Sequence, residues 1–215
     1  MSLFAEHEQA GLTFPKSLTM EYQPQTIAEF CGLEKQKKIL SNLVKAPREC
    51  TLLFEGGPGT GKTSMAFAFA RELGAEVHQV GSQEANLEEV KRVVTMCHYV
   101  PLSGGWHVII MDEADRMSPA TQLYLLSKFD GTQTVPKTIW ILTCNVTEPF
   151  QDRFLSRCVR IPKFHAIGAG KDIRSLLARI WKEKAGQSDS PDFDKVPTSN
   201  VREALQWMEA ELLAA

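Results

Sequence analysis

The chain has 215 residues, 43% hydrophobic and 23% charged, with a formal net charge of −2 at pH 7. That is enough to bury one good core and a small second one, and the near-neutral balance leaves no broad basic footprint for nucleic acid, so any DNA contact is local or shared among subunits. No apolar run approaches the roughly 20 residues a membrane helix needs, and the N-terminus MSLFAEHEQAG lacks a signal peptide's basic start and apolar stretch, so a cytoplasmic protein is expected, nuclear if eukaryotic, with no membrane partner.

The first predicted strand, Thr51–Glu55, runs into Gly56-Gly57-Pro58-Gly59-Thr60-Gly61-Lys62-Thr63, a G-x-x-x-x-G-K-[ST] loop. Gly57, Gly59 and Gly61 let the backbone turn so that consecutive N–H groups face phosphate oxygens, and the next helix starts with its positive dipole end towards the anion. Lys62 is placed to reach the β- and γ-phosphates and Thr63 to offer a hydroxyl to Mg²⁺, while Pro58, Thr60 and Ser64 complete the cradle. A helix over Thr63–Leu73 closed by Gly74, and a second strand at Glu76–Val80, come next. Leu87, Val90, Val93, Val94 and Cys97 mark one face of a helix. Trp106–Met111 is a buried third strand, and Ser118-Pro119 is a helix start with its cap and first-turn proline in order.

The third strand ends in Asp112-Glu113. Asp112 can hold Mg²⁺ through its water shell, and Glu113 can orient or deprotonate the water that attacks a γ-phosphate. Thr138–Thr143 is the fourth strand, and Asn145 after it is placed to hold the same water. Cys158–Ile161 is the fifth strand. Arg157, just before it and with no obvious acidic neighbour, is suited to another subunit's γ-phosphate. Beyond Ile161, Ile173, Leu176, Leu177, Ile180 and Trp181 form a helical stripe with no strand nearby. Gln187–Pro197 is a predicted loop before a last helix holding Val201, Leu205, Met208 and Leu212. Arg202 opens that helix, where a cation opposes the dipole, which hints at a phosphate partner. Cys31, Cys50, Cys97, Cys144 and Cys158 are odd in number and have no C-x-x-C pair, so neither a disulfide framework nor a zinc site is suggested.

From Glu21 to Leu213 these residues resemble the AAA+ ATPases, within them the clamp loaders typified by replication factor C small subunits and the bacterial polymerase III gamma-type subunit. Glu21-Tyr22-Gln23-Pro24 with Phe30-Cys31-Gly32-Leu33-Glu34 looks like the family's adenine entrance, which implies that Tyr22 and Pro24 contact the base. Gly56–Thr63 matches its Walker A, Val108–Asp115 its Walker B and Asn145 its sensor 1. Ser156-Arg157-Cys158 is similar to the box that carries a trans arginine finger, and Asn200-Val201-Arg202 to the sensor 2 helix. The resemblance implies an α/β fold: a five-stranded parallel P-loop core over residues 21–163, after an N-terminal extension at 1–20, with a small all-helical lid at 164–215. It also implies ATP and Mg²⁺, a homo- or hetero-oligomeric ring or spiral, and a sliding clamp and primed DNA as partners.

Departures from the pattern qualify this expectation. The chain stops where the lid ends, without the helical collar, and the lid looks shortened. Tyr124–Asp130 keeps only Lys128 basic where the family is arginine-rich, and Val80-Gly81-Ser82 lacks the expected asparagine. Three readings follow: a clamp-loader-like ATPase, an AAA+ remodeller of a protein partner in a mobile-element, phage or plasmid system, or a non-hydrolysing nucleotide switch. Lys62, Asp112, Glu113 and Arg157 together argue against the last.

Overall fold

The computed structural model describes residues 16–81, 87–102, 104–130, 133–165, 170–185, 191–198 and 200–214. Helices α1 (Leu18–Glu21) and α2 (Glu34–Lys45) lead into strand β1 (Cys50–Glu55). Then α3 (Lys62–Leu73), β2 (Glu76–Val80), α4 (Leu87–Met96), β3 (His107–Met111), α5 (Pro119–Phe129) and β4 (Thr138–Cys144) alternate. The chain continues through α6 (Asp152–Leu155), β5 (Val159–Arg160), α7 (Gly170–Lys184) and α8 (Val201–Ala214). Every predicted strand is present. The last is the shortest, an edge strand paired through Leu52 with Val159 and Leu53 with Arg160.

The five strands are parallel in the order β2-β3-β4-β1-β5. β3 and β4 are buried throughout and β1 along its middle, which is why they read as near-continuous apolar runs. On one face, α4 and α5 bring Val90, Val93 and Leu125 against Ile109, Met111 and Trp140. On the other, Met65 and Phe69 of α3 pack with Phe54, Ile110 and Ile141. β2 alternates instead, with His78 and Val80 inward and Val77 and Gln79 outward. The start of α5 is as predicted, since Ser118 Oγ accepts from the Thr121 N–H at 3.1 Å and Pro119 follows. α3 closes at Gly74, whose φ is 66°.

A third core lies outside the sheet. Ile173, Leu177, Ile180 and Trp181 of α7 pack on Ala204, Leu205 and Met208 of α8, the two stripes expected of a helical lid. Leu18 joins the same cluster, so α1, expected to belong to an extension, is part of the lid's packing. Residues 1–15 of that extension lie outside the described residues, as does Ser82. The stretch read as a loop before α8 contains a 3₁₀ turn at Phe193–Lys195, and Val196 beside it is buried in the lid core; its positions 187–190 are outside the described residues. Lys184 Nζ donates to the Glu21 carboxylate and stands 5.9 Å from the centre of the Tyr22 ring, tying α7 to the segment after α1.

The face beneath α5 centres on Phe154, fully buried, with ring centroids 5.4 Å from Phe150 and 5.5 Å from Phe129. Phe154→Ala is expected to cost about 3–5 kcal/mol, lowering the urea midpoint with an unchanged slope. An unshifted midpoint would show that these rings do not form a packed core.

Candidate active site

Between β1 and α3 the loop turns through Gly59 and Gly61 at φ 72° and 90°, the left-handed region that favours glycine. Gly61 is the N-cap of α3, so the helix's first free N–H groups belong to this loop. Thr60 Oγ1 pins the turn by donating to the Gly57 carbonyl at 2.8 Å. Lys62 is 8% exposed, and its ammonium donates to the carbonyls of Gly56 and Gly57, both at 2.8 Å, and to Asn145 Oδ1 at 3.1 Å. Burial pushes its pKa below the ordinary lysine value, and the carboxylates of Asp112 and Asp115 oppose that shift.

The ends of β3 and β4 supply the facing wall. Thr63 Oγ1 donates to Asp112 Oδ1 at 2.7 Å, and the Thr143 hydroxyl donates to the same oxygen. Thr143 Oγ1 also accepts the Glu113 N–H at 3.2 Å. The Thr63 hydroxyl and Asp112 carboxylate thus meet as an oxygen-only donor pair, the hard set that suits Mg²⁺. Glu113 sits at φ 49° with its carboxylate 3.1 Å from Arg116. Both side chains are substantially exposed, so this pair holds Glu113 only weakly. The Asn145 N–H donates to Asp115 Oδ2 at 3.2 Å, while Asp115 Oδ1 is buried without a partner among the described residues.

α8 approaches from the lid. Asn200 Oδ1 caps it by accepting the Glu203 N–H at 2.7 Å. A Cβ at Gly59 would lie 2.7 Å from Asn200 Oδ1 and 3.1 Å from Arg202 Cβ, so the beginning of α8 rests against the phosphate loop. Arg202 borders two connected spaces. A polar hollow of about 130 Å³ is lined by Pro58, Lys62, Thr63, Asp112, Glu113 and Asn145. A larger cavity of about 550 Å³ is lined by Tyr22, Pro24, Phe30, Thr60, Ser64 and Leu205. Burial and the nearby Glu183 carboxylate push the Tyr22 phenol up to about 12. The larger space has the size of a small-molecule site, about 300–1,000 Å³, and shares Gly59, Gly61, Ser64 and Arg202 with the polar hollow, an arrangement that fits a nucleotide.

Over residues 52–166 the chain matches the AAA family, described as the ATPase family associated with various cellular activities. The chain belongs to that family. It is 33% identical over 146 residues to replication factor C small subunit 1 of Pyrobaculum aerophilum, covering 64% of this chain and 44% of that one. It is 27% identical over 208 residues to human replication factor C subunit 4, covering 88% and 56%. The chain therefore spans about half the length of these relatives. Its fold is shared with a RuvB variant of Thermotoga maritima at a TM-score of 0.74 and 21% identity, over 87% of this chain and 64% of that one. The P-loop AAA+ architecture with its parallel sheet and helical lid is thus established. Among the described residues no helix is long and apolar enough to cross a membrane.

The structure brings together Lys62, Thr63, Asp112, Glu113, Asn145 and Arg202 around one hollow, and it keeps Arg157 apart. Arg157 borders a hollow with Thr51 and Thr138, at the opposite ends of β1 and β4 from the phosphate loop. The expectation that it lacks an acidic neighbour is corrected, since its guanidinium is 3.5 Å from Asp130 and donates to the Arg153 carbonyl at 2.6 Å. Asp130 is distant in sequence and reaches Arg157 only because α5 and α6 pack on one face. Sequence pattern assigns no separate role to Thr143 or Asp115. The only signal for Thr143 is a hydroxyl one residue from the end of an otherwise apolar strand.

Thr143→Val removes one partner from Asp112 and one from the Glu113 N–H, a loss of about 1–3 kcal/mol. Calorimetric titration with ADP is expected to show a matching, roughly 10-fold weakening in Mg²⁺ and little change in chelator. Equal weakening in both conditions would separate Thr143 from the cation-binding wall.

Proposed function

We propose that this chain binds and hydrolyses Mg·ATP at an interface completed by a neighbouring subunit, and that the cycle loads a sliding clamp on primed DNA. One observation carries the interfacial part: the phosphate-facing residues share a single hollow, while Arg157 stands at the far end of the sheet, where a second subunit's nucleotide can meet it. Support for the clamp comes from the replication factor C relatives, whose similarity extends over 88% of this chain in the human case.

In this reading the loop N–H groups and Lys62 hold the β- and γ-phosphates, with Lys62 exchanging its carbonyl partners for phosphate oxygens. Mg²⁺, when bound by Thr63 and Asp112, neutralises charge across the phosphates. Asn145 orients the attacking water and Glu113 accepts its proton after leaving Arg116. Tyr22 and Pro24 line the base end. Arg202 touches both spaces and links lid position to the γ-phosphate. Arg157 of the adjoining protomer stabilises charge in the transition state, a contribution on the order of 10³ to 10⁵ in rate.

A protein remodeller without a clamp is the second reading. It is favoured by α5, where Lys128 is the one basic residue in a segment expected to be arginine-rich for DNA contact.

Steady-state ATP hydrolysis against protein concentration, with and without primer-template DNA, separates these readings. Specific activity that climbs with concentration and again with DNA is expected of the loader. Concentration dependence with no DNA response supports the remodeller, and no turnover in any condition points to a nucleotide switch or to a missing partner chain. Arg157→Ala should leave nucleotide affinity nearly intact while abolishing turnover, whereas Lys62→Ala should weaken binding itself. Equal loss of affinity and turnover in Arg157→Ala would defeat its role across the interface.

A further inference from the structure

At the outer edge of the sheet, away from the nucleotide hollow, four donor side chains converge. β2 and β3 pair with Glu76 opposite His107 and His78 opposite Ile109, which places Glu76, His78 and His107 on one face of two adjacent strands. α4 packs on that face. Cys97 follows its last residue and is still bonded back to the Val93 carbonyl at 3.0 Å. One donor atom from each of His78, Cys97 and His107 lies within 4.8 Å of the others, and all three residues are buried. His78 Nε2 and His107 Nδ1 are 3.0 Å apart, and Glu76 carboxylate oxygens stand 3.9 Å from each of these nitrogens.

We propose that His78, Cys97, His107 and Glu76 form a structural zinc site that clamps β2, β3 and α4 together. Spacing is the first argument. Zinc bonds of about 2.0–2.1 Å to nitrogen and 2.3 Å to sulfur give tetrahedral edges of about 3.3–3.7 Å. The two imidazoles and the carboxylate already bracket that range, and the thiol comes within it by a movement of about 1 Å.

The second argument is the outer contact of His107. Its Nε2 is 3.0 Å from the Tyr99 carbonyl, which can only accept, so Nε2 carries the proton and Nδ1 presents its lone pair to the centre. A metal-ligating histidine is commonly fixed in this way. Without metal, Nδ1 of His107 accepts a hydrogen bond from His78 Nε2–H. On metal binding the His78 proton moves to its Nδ1, and Cys97 releases its thiol proton to solvent. One thiolate and one carboxylate then cancel the dication's charge, so the buried site closes with no net charge. Mixed nitrogen, sulfur and oxygen donors favour zinc over Mg²⁺.

Access and consequence lie on the same side. The Glu76 side chain is 24% exposed and opens the cluster to solvent. It also accepts the Leu102 N–H at 2.6 Å, while His107 holds the Tyr99 carbonyl. The site therefore fixes the segment after α4, on which Tyr99, Val100 and Leu102 are largely exposed.

The test uses the full chain without a tag, stripped of metal and kept in saturating Mg·ADP so that the nucleotide hollow does not compete. Co²⁺ is titrated first. One equivalent is expected to produce the visible ligand-field bands of a tetrahedral centre with a near-ultraviolet thiolate charge-transfer band, and Zn²⁺ should displace it stoichiometrically. Zinc at 100 times its Kd should raise the thermal midpoint by about 5–10 °C. Cys97→Ser should lose the charge-transfer band, and His107→Gln should weaken binding about 100-fold or more. Glu76→Gln, at the partly exposed ligand, should weaken it while ADP affinity reports an intact fold. No thiolate band in the parent protein at one equivalent, or an unchanged band in Cys97→Ser, would overturn the proposal and leave a hydrogen-bonded pair of core histidines.

Discussion

The nucleotide site depends on three buried parallel strands that end within two residues of one another. Glu55 of β1 lies beside Cys144 of β4, and Leu142 of β4 beside Met111 of β3, so the chain leaves the sheet at three neighbouring points. Inside the sheet each strand is covered on both faces and has little room for charge. Polar chemistry is therefore compressed into the first residues past the strand ends, where Gly56–Thr63, Asp112–Glu113 and Asn145 meet. A slip of one residue between β3 and β4 would turn Asp112 and Thr143 away from each other and break the hydrogen bond between them.

Lys62 shows how the protein accommodates a buried cation. Three oxygens surround its ammonium, two of them loop carbonyls and one the Asn145 amide. An unpaired ammonium at that depth would cost several kcal/mol. Here the loop itself supplies two of the three ligands. The third bond couples Lys62 to Asn145, so the phosphate loop and the residue just past β4 share one contact.

What could be read from the sequence follows from how local each device is. The phosphate loop depends on glycines at positive φ and a lysine at fixed spacing, and the acidic pair follows an unbroken apolar strand; both are visible within a dozen residues. Thr143 is not, because a β-branched residue in a strand is ordinary and its bond to Asp112 exists only through the β3–β4 register. Asp130 and Arg157 meet by packing of α5 and α6, which no short window contains. His78, Cys97 and His107 have none of the close spacings by which metal ligands are recognised. They become neighbours only when strand pairing is combined with the position of α4. The place of Leu18 is hidden for the same reason, since four residues of helix carry no stripe that would tell which core they join.

The position of Leu18 also bears on how the lid can move. The lid's core takes residues from α1 at one end of the described chain and from α7 and α8 at the other, so the polypeptide crosses between lid and sheet twice, once through residues 22–27 and once after Phe164. A body held to its neighbour by two stretches of chain has fewer ways to turn than one held by a single stretch. Because Tyr22 and Pro24 lie on the first crossing and also line the larger cavity, the wall of that cavity is built from the chain that joins lid to sheet.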